Sequence, residues 1–255
     1  KSKGPLATVL VQQGTLRVLH DRSFQDDPTR LLRAARYETR LGLHMAPETE
    51  AAARRDAERL KHVSGDRVRH ELERIFEEAQ PELPLARADD LVLFQTLVST
   101  LEWAPELSRA AQAIREAGHE TTPLLYLALL SVPLAEGNSE ALVARLNAPA
   151  PWAEVIRDTH TLRVRLPSLA TEKILPSAVY ARLSGLTTES ILAWSALAPD
   201  QTIRGLLLSF LMKWQSVKPH LTGDDLLALG VPQGPQIGEL LQELLNARLD
   251  DVVVT

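Results

Sequence analysis

The sequence predicts an all-α fold. Three observations carry that expectation. Apolar residues recur at three- and four-residue spacing along nearly the whole chain, which is helical periodicity. Leucine and alanine dominate, while β-branched residues rarely cluster. Proline and glycine fall where helices would start and stop. The 255 residues are 45% hydrophobic and 24% charged. That balance belongs to a globular chain and excludes disorder throughout.

Taken in order, residues 6–11 (LATVLV) read as extended, and 16–20 (LRVLH) suit either strand or helix. Asp27-Pro28 places a capping carboxylate before a first-turn proline, and Gly42 closes that segment, so a helix is expected over 28–41. The periodicity continues over 47–61, 64–79, 88–101, 105–117, 123–133 and 138–147. It resumes over 151–165, 176–184, 187–197, 200–217, 223–229 and 235–248. Pro47, Pro123, Pro199 and Pro235 fit first turns, and Thr222 with Asp225 resembles a capping box. Residues 251–254 read as extended again. The turn at 147–151 and the stretch 167–176 are candidate hinges. No repeat of fixed period emerges.

Charge and composition narrow the chemistry. The formal net charge is −5, unlike a strongly basic nucleic-acid binder. The distribution is uneven. Residues 1–80 hold 15 Lys+Arg against 13 Asp+Glu, whereas 81–255 hold 13 against 20. A polyanion should therefore meet the N-terminal third first. The chain has no cysteine, which excludes disulfides, thiolate zinc sites and a Cys nucleophile and suits a reducing, cytoplasmic compartment. No apolar run reaches the roughly 20 residues of a membrane span. The basic start (KSKGPLATVLVQQG) lacks the pattern of a signal peptide.

The segment richest in chemistry is Arg22 to Tyr37. On a helix opening at Pro28, Arg30, Arg33 and Arg36 lie along one i, i+3 row, with Arg40 a turn beyond. The row drifts around the helix and forms a basic stripe. A carboxylate accepts hydrogen bonds and a guanidinium donates several in a planar fork. Asp27 beside Arg30 could thus read the edge of a base, while the distal arginines could hold phosphates. The alternative is an arginine-rich helix paired to Glu38, Glu71 and Glu73, with Asp27 only capping.

The run LRVLHDRSFQDDPTRLLRAARYETRLGL resembles the neck motif of bacterial class II tRNA nucleotidyltransferases and poly(A) polymerases. VSGDRVRHELERIF (63–76) is similar to the family's next motif, and 221–251 resembles its tail hairpin. The resemblance implies an elongated neck (16–80), helical body (81–220) and tail (221–255), with 1–15 leading from a nucleotidyltransferase head. It implies that Asp27 and Arg30 hydrogen-bond the base of CTP or ATP. Arg33 and Arg36 would face the nucleotide further along the helix. Asp26 stands where many members carry Glu and would support the site with a shorter reach. Glu71 matches an acid expected to brace the neck helices against an arginine of 30–40. The implied partners are CTP or ATP and the tRNA 3′ end with its acceptor and elbow region.

The family's palm carries a Gly-Ser loop and a two-carboxylate site for Mg²⁺, and no such residues precede Leu16. Two-metal transfer needs those carboxylates, so the expectation is a neck, body and tail without the palm, inactive alone. A competing expectation is a non-catalytic helical module that binds RNA or protein. Other signals are bland. His20-Asp21 lacks the further histidines of a metal phosphohydrolase, because the remaining histidines show no ligand spacing. No serine sits in a G-x-S-x-G elbow. Gly230 to Gly238 lacks the Lys-Ser/Thr of a P-loop. The four tryptophans are scattered and read as core fillers.

Overall fold

The structure is a computed structural model that describes residues 9–12, 14–135, 137–170, 174–198 and 200–252. Helices dominate, as the periodicity predicts. A small sheet stands at the start. Strand β1 (Val9–Gln12) runs antiparallel to β2 (Thr15–Val18), and β3 (His44–Met45) joins β2 in parallel. Gly14 turns the hairpin at a φ of 77°, a region that glycine enters without steric cost. The ambiguous stretch from Leu16 is therefore strand. Residues 6–8 of the first expected strand, and residues 253–254 of the last, lie outside the described residues. Asp251 is in a turn.

Fourteen α-helices follow among the described residues. They begin with α1 (Ser23–Asp26), α2 (Arg30–Arg40), α3 (Pro47–Asp56) and α4 (Gly65–Phe76). Next come α5 (Glu82–Asp90), α6 (Pro105–Glu116), α7 (Pro123–Ser131), α8 (Asn138–Arg145) and α9 (Ala150–Arg165). The last are α10 (Pro176–Leu183), α11 (Thr188–Leu197), α12 (Gln201–Ser209), α13 (Gly223–Ala228) and α14 (Pro235–Leu249). Pro47, Pro123 and Pro235 open their helices as expected. Thr222 and Asp225 form the full capping box. Pro199 lies outside the described residues.

One expected helix is misplaced. Residues 88–101 do not form a single helix. The chain coils earlier, over α5, because Pro81 and Pro84 fall where a missing N–H costs nothing. It then reverses at Val92, whose φ is 62°. Val92 and Leu93 donate backbone hydrogen bonds to the Asp89 and Ala88 carbonyls, the closing pattern usually built on glycine. Leu91, Leu93 and Phe94 are fully buried around the reversal. Tertiary burial thus overrides local periodicity here. The helices expected over 47–61 and 200–217 also change geometry midway. They become a 3₁₀ turn at Ala57–His62 and a π turn at Phe210–Trp214.

Two cores hold the helices. The larger runs from Leu16 to Ala193 and centres on α7, where every residue from Leu125 to Ser131 is buried. A helix apolar on all sides belongs in the middle of a bundle. Phe76, Tyr126, Trp103 and Trp152 pack ring to ring in this core. The smaller core spans Leu162 to Phe210. The C-terminal pair α13 and α14 docks through Asp250, whose carboxylate accepts from the N–H and Oγ of Ser177 at 2.8 and 2.6 Å and so caps α10.

A β-branched residue in left-handed backbone carries about 1–2 kcal/mol of strain, and Val92 is half exposed. Val92→Gly should therefore raise the unfolding free energy by about 1 kcal/mol. Urea denaturation of the two chains measures this, and a lower midpoint for the variant would refute the strain argument.

Candidate functional site at the α1–α2 junction

The site is assembled where α1 ends and α2 begins. Asp27 has extended backbone and terminates α1. Its Oδ1 accepts from the N–H of Thr29 at 3.1 Å and from Thr29 Oγ1 at 2.7 Å, so Asp27 closes the turn before α2, while the helix expected from Pro28 starts two residues later with Thr29 at its N-cap. That turn is tight, with Arg30 and Leu31 donating to the carbonyls of Asp27 and Pro28, and regular helix starts at Arg30. Thr29 is buried, as are Ser23 and Phe24, which anchor α1.

Arg30 lies against this junction. Its Nη1 donates to Ser23 O and Ser23 Oγ at 3.1 and 3.0 Å. Its Nε has no hydrogen-bond partner and sits 4.0 Å from Asp27 Oδ2. The structure thus brings Asp27 and Arg30 together, with both side chains reaching the surface in part. Asp26 is exposed and faces His20 at 3.7 Å. His20 and its neighbour Asp21 take different partners, Asp21 pairing with Arg55.

The rest of the arginine row is committed to carboxylates. Arg33 Nε donates to Glu71 Oε1 at 2.7 Å, and Arg74 donates to the same oxygen at 3.1 Å. Glu71 is only 2% exposed, so it braces α2 against α4 as expected. Arg36 does not face outward. It is buried, donates to Glu78 at 3.1 Å and lies over the Tyr37 ring at 4.7 Å. The drift of the row places it under the helix rather than along its open side. Arg40 shares Glu78 at 3.7 Å. Glu38 is buried too, accepting from the Met45 N–H and from Arg87 at 2.7 Å each. The paired-helix alternative is therefore realised for Arg33 and Arg36, and Glu73 is replaced by Glu78.

One partner was absent from the sequence reading. Arg67, in the first turn of α4, donates to Asp27 Oδ1 at 2.8 Å. The helical row Arg67, Glu71, Arg74 and Glu78 was its available signal. The first turn of α4 is fixed by close backbone contact. A Cβ on Gly65 would stand 2.5 Å from the Arg145 carbonyl oxygen at the end of α8.

The charges set the protonation states. Burial works against ionising Asp27, but the Thr29 hydrogen bonds and the Arg67 and Arg33 charges outweigh it and hold the carboxyl below its ordinary range. Burial likewise disfavours the charged Arg33, yet its bond to Glu71 lifts it above its usual value. Elsewhere, hydrogen bonds from Arg87 and Arg54 lower Glu50, and Arg55 with Arg59 lower Asp56 against its burial. Among the described residues no cluster of three His, Cys, Asp or Glu could hold a metal ion. No helix among them is long and apolar enough to cross a membrane.

Residues 42–110 match the family described as the probable RNA- and SrmB-binding site of polymerase A. The A-adding tRNA nucleotidyltransferase of Geobacter sulfurreducens is 28% identical over 96% of this chain and 30% of its own length. The CC-adding tRNA nucleotidyltransferase of Deinococcus radiodurans is 32% identical over 95% of this chain and 53% of its own. The Thermotoga maritima CCA-adding enzyme complexed with tRNA-CCA superposes with a TM-score of 0.76 at 26% identity, covering 95% of this chain and 62% of that one. The chain is related to the tRNA nucleotidyltransferases. It spans about half the length of such relatives, or less. A chain of this family described as a CCA-adding enzyme with ATP matches equally well, with a TM-score of 0.76 at 27% identity over 93% of this chain and 59% of its own.

Two outcomes follow for the brace and the carboxylates. Removing one partner of a buried ion pair strands the other, so Glu71→Ala should cost about 3 kcal/mol in urea unfolding. A loss below about 0.5 kcal/mol would mean that α4 holds α2 by packing alone. Asp27, Glu50 and Asp56 all titrate below their unfolded values, so their stabilisation is present above the ordinary carboxylate range and disappears as pH falls through the folded values. Acid titration of the thermal midpoint should therefore fall below about pH 4, and more gently in Asp56→Asn. Identical acid profiles would contradict the assignment.

Proposed function

We propose that this chain is the base-selecting and RNA-holding portion of a tRNA nucleotidyltransferase. One observation supports the reading above the others. At the mouth of α2 the partly exposed Asp27 carboxylate leaves Oδ2 without a hydrogen bond, 4.0 Å from Arg30 Nε, a buried donor without a partner that a base would meet only after the Arg30 side chain shifts. Cytosine offers an exocyclic amine donor beside the N3 acceptor, and adenine offers the same order with N6 and N1. Guanine and uracil offer the reverse. An acceptor followed by a donor on the protein therefore suits C and A and rejects G and U, as a complementary base would. Protein side chains would thus take the place of a nucleic-acid template.

The transfer itself requires Mg²⁺ on the triphosphate, which would be held by carboxylates of a catalytic head. This chain's residues would bind and orient the base. Arg33, hydrogen-bonded to Glu71 and within the field of the Asp27 charge, would keep the α2 face rigid rather than grip phosphate. Body and tail would hold tRNA through backbone and shape, because A-form grooves hide base edges from side chains.

A second reading is a helical RNA- or protein-binding module without a role in base choice. The acidic balance beyond residue 80 favours it, since a tRNA-holding surface needs local positive charge.

A full-length protein carrying this chain separates the two readings. Arg30→Ala should reduce discrimination of CTP and ATP against UTP and GTP by about tenfold or more in single-turnover assays. The tRNA dissociation constant should change little. Undiminished discrimination would leave the module reading in place.

A further inference from the structure

Asp27 has two oxygens in unequal surroundings. Oδ1 accepts three hydrogen bonds: from Thr29 N, Thr29 Oγ1 and Arg67 Nη2. Oδ2 accepts none and points to the Arg30 Nε side. A carboxylate left with two donors on one residue can still rock about its Cβ–Cγ bond. A third donor from a different helix fixes its plane. We propose that Arg67 is a positioning residue for nucleotide choice, fixing Asp27 so that Oδ2 alone is presented to an incoming base. The inference rests on the base-reading role proposed above and assigns a specificity determinant to α4.

The chemistry supports a role beyond packing. Arg67 is half exposed, and its guanidinium donates to Asp27 across 40 residues of sequence. It fills no core position, and the fold would not require it. The charged groups facing Asp27 are Arg30 and Arg33 from α2 and Arg67 from α4, while Asp26 on α1 turns to His20. Protonated Asp27 would present a donor where cytosine and adenine also present donors. The guanidinium charge adds to the Thr29 hydrogen bonds that favour the ionised form. Gly65 lets the start of α4 touch the end of α8, so body packing sets where Arg67 stands and hence how Asp27 is aimed.

The test uses Arg67→Met and Arg67→Lys beside Arg30→Ala. In this chain, ¹³C NMR follows titration of the Asp27 carboxyl carbon. In the full-length protein carrying it, single-turnover incorporation of the four nucleotides gives discrimination. Arg67→Met should raise the Asp27 midpoint and lower discrimination against UTP and GTP by about tenfold, acting on KM for CTP more than on kcat. Arg67→Lys should restore the midpoint and part of the discrimination. An unmoved midpoint overturns the proposal, and so does a moved midpoint with intact discrimination. If Arg30→Ala impairs discrimination and Arg67→Met does not, only the Arg67 role fails. If neither does, base reading itself fails.

Discussion

The alternating charges between α2 and α4 fix the geometry on which the rest depends. Asp27 meets Arg67, Arg33 meets Glu71 and Arg74, and Arg36 meets Glu78. Pairs of this kind, buried on the Glu71 and Arg36 side and half exposed at Arg67 and Arg74, add little net stability, because desolvation and solvent screening offset attraction. Their consequence is register. Apolar packing between α2 and α4, through residues such as Leu31, Ala35, Val68 and Leu72, specifies register less sharply than paired charges do. A slide here would place like charges together and strand Glu71 in the core. Rotation of α2 about its axis is therefore set by charge, and the mouth of α2 is aimed as a result.

That constraint explains the fate of the arginine row. Four arginines at three- and four-residue spacing spread around the helix instead of sharing one face. Arg33 and Arg36 turn toward α4 and the chain following it, where carboxylates wait. Arg30 sits in the first turn, hydrogen-bonds the neutral carbonyl and hydroxyl of Ser23, and meets a carboxylate only at 4.0 Å, in Asp27. A guanidinium with five N–H donors that makes two hydrogen bonds, both from Nη1 to Ser23, keeps donors to spare. The difference between Arg30 and its neighbours is thus positional, with identical chemistry.

Much of this was legible in the sequence, for identifiable reasons. Prolines at first turns, the Thr222–Asp225 box and the Asp27-Pro28 start are local signals, and local signals survive folding. The i, i+4 spacing of Arg67 and Glu71 was also present, but spacing alone does not tell which helix a side chain will meet. Arg67 was missed for that reason, and Glu78 was hidden because it lies past the end of α4. The α5 region failed differently. Leu91, Leu93 and Phe94 fit a helical stripe, yet the core closes over them through a reversal at Val92. No propensity favours valine in left-handed backbone, so nothing local announces the turn.

On the base-reading role proposed above, the edge that Asp27 and Arg30 would offer is common to cytosine and adenine, which has a further consequence. Both bases place an amine donor beside a ring acceptor, and they differ in the distance from that edge to the sugar. A pair fixed at one helix mouth can reject G and U by donor order, but it meets C and A with the same two atoms. Telling a pyrimidine from a purine requires an opposing surface at a set distance, which holds the sugar while the edge is read. Relatives described as A-adding, CC-adding and CCA-adding all match this same stretch of chain. On the proposed reading that distribution fits a division of labour: α2 with its α4 brace would supply the edge, and size selection would fall to whatever faces it.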